Sequence, residues 1–476
     1  MRSLREFPIV VMVLLCLAGL SPAAVRYCST VVQIENATRN YIPGDEIVIA
    51  AGLYEMEAEL QFRNGAVTMR GETGLRDDVI LQGPGMNVDA GPRNIIHVYC
   101  DDVTIESLTV SECCWNGIQI HGENEPDRTV IRNVHTLNIG ERHIKGSKGS
   151  IANAVHDVLI EDCLLEQNKV NTDGNYIGGI DCMVLKNPII RNNEFRNIQG
   201  QTGEGRAAIF LWQGIVNPTV EGNVIYDCDR GIAMGNPSYT NPDNIVGGIV
   251  RNNFVSYANE INLELVATVD LKVYNNTLYG PSGSSYTRCV SMESFVTSGL
   301  ELKNNLIHGD ITDRGIPFVS ANNITGTTAD PSWFVDVASG ELHLTELALA
   351  ALDAGQALAE VPTDIDGGPR PAGDLPDIGA DEYGSPIGDA NYDGKVDGLD
   401  YNVWSLHYQQ AGHWGDGNFN GDALVDGLDY NIWSLNYNFG TAGAGGQPVP
   451  EPAAALLLAA GVCAVTRRRR SRRSRP

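Results

Sequence analysis

The chain has 476 residues, 43% of them hydrophobic, and a formal net charge of -26. That length and apolar content exclude a disordered chain and allow a large core with more than one domain. The excess of 59 acidic over 33 basic side chains argues against nucleic acid or an anionic membrane as partner, and an acidic polysaccharide would need a local cationic cleft.

Arg2 and Arg5 precede an apolar run over residues 7–20, followed by the small residues Ser21, Ala23 and Ala24. The run is short for a membrane span, and the pattern reads as a secretory signal peptide over 1–24. Export permits disulfides among Cys28, Cys100, Cys113, Cys114, Cys163, Cys182, Cys228 and Cys289. No metal-ligand spacing or small-domain framework connects these cysteines, and several fall where the repeat described next points inward, so buried thiols are an equal expectation.

One short pattern recurs through the middle of the chain. Its leading residues Ile131, Ile160, Ile190, Val220, Val250, Val273 and Leu302 step by 29, 30, 30, 30, 23 and 29. Local alternation is period two, as in Leu271-Lys272-Val273-Tyr274. A regular step with strand periodicity predicts a solenoid of stacked coils rather than a globular α/β domain. Identical positions then lie above one another, so Asn193, Asn223, Asn253, Asn276, Asn305 and Asn323 are expected to form an internal ladder at a turn. Coils of this length must carry loops on at least one edge, where a binding groove is expected.

The stretch Pro43-Gly44-Asp45-Glu46-Ile47-Val48-Ile49-Ala50-Ala51-Gly52-Leu53-Tyr54 resembles the first coil of the pectate-lyase-like superfamily. Residues 342–355, then Thr363-Asp364-Ile365-Asp366-Gly367 and Pro376-Asp377-Ile378-Gly379-Ala380-Asp381-Glu382-Tyr383, resemble the closing segment of its bacterial members. The resemblance implies an all-β, right-handed parallel β-helix over 25–384. It leaves activity open, because that superfamily holds lyases, hydrolases, epimerases and non-enzymatic adhesins.

Polar chemistry is densest at Glu141-Arg142-His143-Ile144-Lys145-Gly146-Ser147-Lys148, in the wide loop region between the coils at Ile131 and Ile160. On one regular strand, His143 and Lys145 would share a face. A base beside cations suits β-elimination of a uronate, in which the carboxylate is neutralised, the C5 proton removed and the leaving oxygen protonated. The region resembles chondroitinase-B-like and alginate-lyase-like β-helix enzymes, in which a lysine and an arginine on neighbouring coils act as base and acid near calcium-binding carboxylates. By that resemblance Lys145 matches the base, with His143 beside it, and Arg206 or Arg230 matches the acid. Arg142, Lys148, Asp181, Asp227 and Asp229 are candidates to bind substrate. The extended motifs of those lyases are absent, and no calcium triad is assigned within the coils. Two rival readings use the same groove. Glycoside hydrolysis would need facing carboxylates, for which Asp181, Asp227 and Asp229 are candidates; a carbohydrate-binding or adhesion protein needs none of these charges.

After the coils, Asp389, Asn391, Asp393, Asp397 and Asp400 occupy positions one, three, five, nine and twelve of an EF-hand-like loop, with Lys395 supplying a carbonyl. A second loop repeats the pattern with Asn418, Asn420, Asp422, Asp426 and Asp429, and with Leu424 as the carbonyl. Asn418 in place of a charge and Ala423 in place of a turn glycine predict weaker binding there. Each loop runs into the same helix start, Tyr401-Asn402-Val403-Trp404-Ser405-Leu406 and Tyr430-Asn431-Ile432-Trp433-Ser434-Leu435. The pair resembles a type I dockerin over 385–440, a small α-helical domain, which implies Ca2+ and a cohesin-like partner. The duplicated Tyr, Trp and Leu can instead form the domain's own small core.

The end of the chain reads Val449-Pro450-Glu451-Pro452, an apolar run over 453–466, then arginines from Arg467 to Arg475. It resembles a PEP-CTERM sorting signal, with the linker and tail together spanning 441–476. The resemblance implies recognition by sorting machinery at the membrane and a secreted or cell-surface destination, the short apolar run serving as a transient anchor. The sequence thus predicts an exported, modular, carbohydrate-active protein, with uronate polysaccharide elimination its most concrete function.

Overall fold

The computed structural model describes residues 23–439 except 173, 240–243, 281–287, 294–295, 373, 384–387, 392–394, 413 and 421–423. Residues 1–22 of the expected signal peptide, the expected sorting tail, and Asp393 and Asp422 of the two expected calcium loops therefore lie outside the described residues. Among those described, no helix is long and apolar enough to cross a membrane.

The coils stack as three parallel sheets of twenty, ten and five strands. The repeated apolar residues meet directly: Ile131, Ile160, Ile190, Val220, Val250, Val273 and Leu302 are successive Cα partners in parallel register. All seven are 0–1% exposed and belong to one continuous core. All eight cysteines of the described chain are free thiols, and Cys28, Cys113, Cys163, Cys182, Cys228 and Cys289 sit in that core.

The repeated Asn pairs divide two tasks at one turn. The first residue, as in Asn192, Asn252, Asn275 and Asn304, takes a positive φ of 49 to 54°, a left-handed conformation that asparagine tolerates. The second residue points inward. The Nδ2 groups of Asn193, Asn223, Asn253, Asn276 and Asn305 each donate to the Oδ1 of the next asparagine at 2.9–3.0 Å, ending on Asn323. They also donate to carbonyls of the preceding coil, at Ile160, Ile190, Val220, Val250 and Val273. The ladder satisfies backbone groups that the bend takes out of the sheets.

Both ends of the stack are covered. The helix Val31–Asn40, which the sequence reading did not anticipate, is capped by Thr30 and buries Ile34, Ala37 and Thr38 over the first coil. Its signal was present in the Thr30 cap and the three-to-four spacing of those residues. At the far end the closing segment lies along the last coils. There Leu342, Leu344, Ile378 and Ala380 pack on Phe254, Tyr279 and Leu306, and Asn252, Asn275 and Asn304 donate to its carbonyls at Thr363, Gly379 and Gln356.

Beyond the coils, the helices Gly398–His407 and Gly427–Asn436 follow the two acidic loops. Trp404 and Trp433 form a small core with Ala390, Val396, Phe419 and Val425. Their indole N–H groups donate reciprocally, Trp404 to Asp426 O and Trp433 to Asp397 O. The duplicated tryptophans are thus the domain's interior, whereas Leu406 and Leu435 are 73% and 84% exposed.

Candidate functional site

The ten-stranded sheet turns Ile118, Ile144, Ile180, Ile209, Ile232 and Leu263 into the core. The residues that follow them therefore face outward. Gln119, Lys145, Asp181, Phe210, Ala233 and Glu264 form that outer row as successive Cα partners.

Asp181 is the centre of the row. Its carboxylate accepts from Arg142 Nε at 2.6 Å, Lys145 Nζ at 2.9 Å and Trp212 Nε1 at 3.1 Å. Burial alone would raise its pKa; the charges of Lys145 and Arg142 outweigh that and hold it below the usual carboxylate range. Tyr176, 49% exposed, lies under the Arg142 guanidinium at 3.8 Å and near that of Arg206 at 5.9 Å. Gly178 keeps this patch open, because a Cβ there would meet Arg206 Cβ at 3.1 Å and Arg142 Cδ at 3.6 Å. Trp212 stacks on Phe210 at 5.5 Å and meets the edge of Tyr239 at 6.5 Å.

His143 does not share a face with Lys145. In the strand Arg142–Gly146, both His143 and Ile144 are 0% exposed, and His143 has no partner in the otherwise continuous register. The strand is irregular at this position, so period two fails across it. His143 Nδ1 lies 2.8 Å from Thr136 Oγ1 and 3.0 Å from Thr136 O, and Nε2 is buried without a partner. Burial pushes its pKa down to about 3.

This residue is therefore a stability group rather than a catalytic one. The unfolded chain binds its proton near pH 6.5 and the folded chain only near 3, so stability is full above pH 6.5 and falls as pH drops. About 2 kcal/mol should be lost by pH 5 from this group. Urea titrations at pH 7 and 5 on the natural chain and on His143→Gln should show a shallower acid loss in the variant; parallel curves would contradict it.

The remaining candidates separate. Lys148 is exposed in the following loop. Arg206 is exposed at the Asp181 patch. Arg230 lies three strands from Lys145 in the same sheet and out of register with it, more than about 14 Å away, and pairs with Glu260 and with Glu264 at 3.4 Å. Arg206 approaches the Arg142 side of the patch through Tyr176, whereas Arg230 is held in its own ion pairs away from Lys145.

Asp181, Asp227 and Asp229 do not line one edge as facing carboxylates. Asp227 sits in a turn at φ 52°. Asp229 is 0% exposed and accepts from the Gly200 and Gly205 N–H groups at 2.7 and 2.6 Å and from Asn259 Nδ2 at 2.8 Å. It organises the loop that carries Arg206. Asp181 is occupied by its three donors, and this dispersal removes the basis for the two-carboxylate hydrolysis reading.

One solved structure agrees with this architecture. A pectate lyase, Pel9A, superposes with a TM-score of 0.50 at 12% identity, over 76% of this chain and 97% of that one. It shares the parallel β-helix fold. A PL6 alginate lyase in complex with a trisaccharide gives 0.41 at 12% identity, over 65% and 81% of the two chains, and the Dettilon tailspike protein 0.38 at 15%, over 59% and 62%. No family model matches the sequence, and no curated protein matches it. Identities this low speak to fold and leave the chemistry to the site.

Two features of the same face were missed by sequence reasoning. A cleft of about 340 Å³ is lined by Arg230, Glu260, Glu264, Arg288, Glu293 and Arg314. At its base Glu264 is 4% exposed; burial pushes its carboxyl up, Arg230 opposes this, and Glu293 and Glu260 add to it. On the earlier coils, His97 Nδ1 lies 2.8 Å from His121 Nε2, His121 Nδ1 lies 2.7 Å from Glu123, and Ser147 donates to Glu123 at 2.5 Å. The partners in this chain come from different coils, so local spacing carried no signal for it.

Proposed function

We propose that this is an exported polysaccharide-acting protein whose ten-stranded sheet face holds a uronate-containing chain and cleaves it by β-elimination. The observation that carries this reading is the meeting of Arg142 and Lys145 on one carboxylate, beside Trp212 and beside Tyr176, whose ring also lies near the exposed Arg206. It supplies the local cationic patch that an acidic protein needs for an acidic glycan, and amphipathic rings on which a pyranose can rest. In this reading the exposed cations of the face neutralise the uronate carboxylate, the buried Arg142 holds Asp181 in place, and Lys145 takes the C5 proton. The C–H electron pair becomes the C4=C5 double bond as the C4–O bond breaks, and Arg206 protonates the leaving oxygen.

A second reading, retention without cleavage, is favoured by the pairing of Lys145 with Asp181 at 2.9 Å. In that contact the Lys145 side chain is engaged in holding Asp181 rather than turned to a substrate proton. Incubation of the full chain with pectate, alginate and chondroitin should raise absorbance near the ultraviolet enone band with at least one polymer, and Lys145→Ala should abolish it. Binding in affinity electrophoresis without any enone would move the assignment to an adhesion or binding protein. Neither binding nor cleavage across the panel would sink both readings.

For the helical pair we propose Ca2+ binding. Asp389, Asn391, Asp397 and Asp400, and in the second loop Asn418, Asn420, Asp426 and Asp429, form oxygen-donor sets that suit a hard cation. The described backbone supports the fit: Asp400 accepts from Ala390, Asn391 and Asp397 N–H, and Asp429 from Phe419, Asn420 and Asp426 N–H, drawing each loop back on its last carboxylate. Calorimetry of the chelator-stripped full chain should show calcium heat that falls most in Asp389→Ala and less in Asn418→Ala. No heat, with unchanged helicity, would end the proposal. A cohesin-like partner and surface sorting of the tail belong to the same reading of the chain as a modular surface protein.

A further inference from the structure

The closing segment brings together side chains that neither the coils nor the calcium loops account for. His343, Asp366 and Asp381 each present one ligand atom within 4.8 Å of the others. His343 Nε2 is 3.0 Å from Asp366 Oδ2, and its Nδ1 closely contacts Glu341 Oε1. Asp381 Oδ2 accepts the Leu344 N–H at 2.7 Å, which holds that carboxylate beside the strand carrying the imidazole. Asp364 completes the group. It is 3% exposed, its Oδ1 accepts from Asp366 and Gly368 N–H at 3.1 and 2.7 Å, and its Oδ2 is buried with no hydrogen-bond partner.

Charge makes this arrangement costly as it stands. Glu341, Asp366 and Asp381 gather around one imidazole, and Asp364 lies next to Asp366, whose N–H it accepts. Arg370 is already bonded to Glu382 at 2.6 Å and to the carbonyls of Asp377 and Ala380 at 3.0 and 2.8 Å. A group of like charges with one buried, unsatisfied oxygen is short of a cation.

We propose that His343, Asp364, Asp366 and Asp381, with Glu341 beside them, bind one divalent transition-metal ion of the zinc or manganese class. One imidazole nitrogen with carboxylate oxygens suits such ions, whereas calcium takes oxygen alone. A tetrahedral site with bonds of ~2.0 Å needs ligand atoms about 3.3 Å apart, so the set need only contract slightly. The ligands come from three separate stretches of the closing segment, and Phe254 of the coils packs edge-on against His343 at 4.9 Å. The ion ties these stretches together where the segment lies along the coils, independently of the helical pair and of the sheet face.

The test uses the full chain stripped with chelator and reloaded with one equivalent of Zn2+, Mn2+ or Co2+. Expected are a rise in melting temperature with Zn2+ or Mn2+, visible d–d absorption with Co2+, and a zinc K-edge spectrum with one imidazole among oxygen ligands. The Co2+ absorption should vanish in His343→Ala and weaken at least tenfold in Asp366→Asn, while persisting in Asp400→Ala, which disturbs only the helical pair. Absence of both the Co2+ spectrum and the melting shift in the natural chain overturns the proposal. So does a sulfur-containing or all-oxygen shell at the zinc edge, a signal that survives His343→Ala, or one that disappears in Asp400→Ala. The edge spectrum needs no variant, so a misfolded substitution does not decide the result.

Discussion

Replacing Asp181 by alanine is expected to destabilise the chain by about 3–5 kcal/mol, the cost of leaving a buried charge without its partner. Arg142 and Asp181 are both 1% exposed, so solvent cannot take over when the carboxylate is removed. Lys145 and the Trp212 N–H lose the same acceptor. The effect should appear as a lower urea midpoint with an unchanged slope. The double variant Asp181→Leu/Arg142→Met, which removes both charges at similar volume, should recover much of the loss. A single-variant change below about 1 kcal/mol would show that the patch is far wetter than its burial implies. Because the same carboxylate positions Lys145 and Arg142, polysaccharide binding should fall with Asp181→Ala even at temperatures where the variant is folded.

The second large effect is expected in the asparagine ladder. Asn223 is 0% exposed. Its Nδ2 donates to Ile190 O, Glu221 O and Asn253 Oδ1, and its Oδ1 accepts the N–H and Nδ2 of Asn193. Asn223→Leu keeps the volume and removes every one of these bonds. Each buried group left unsatisfied costs about 1–3 kcal/mol, and neighbouring losses are not additive, so a total above about 3 kcal/mol is expected. Asn323→Leu, at the half-buried end of the ladder, should cost about 1 kcal/mol because water can replace its partners. Equal melting temperatures for the two variants would contradict an internal ladder.

These two sites also mark how far the sequence could be read. The ladder was legible because each coil from Ile190 onward meets the same geometric demand: a left-handed residue to turn the chain, then an inward amide to satisfy the bend. Stacking turns that demand into a repeat, and the apolar residue at the head of each coil repeats with it. The acidic loops before the two helices were legible for a related reason, since their pattern is contiguous in sequence and duplicated.

The site was legible only in part. The cluster around Lys145 was found by its density, but His143 was assigned to the wrong side because one irregular strand defeats a period-two argument. Arg142 and Asp181 stand 39 residues apart, and no local pattern announces that they meet. Glu264, Trp212 and the His97–His121 pair were overlooked for the same reason: each becomes notable only beside residues from another coil.

The sequence by itself determined that this chain is a stack of coils with a duplicated acidic loop behind it, because stacking imposes a fixed spacing and the duplicated loop repeats its own pattern contiguously. Only the tertiary structure decided which charges share a face, which histidine is sealed inside, and that His343, Asp366 and Asp381 converge at the closing segment. Those outcomes depend on register between coils and on where a long segment comes to rest, and neither is set by residues that are neighbours in the chain.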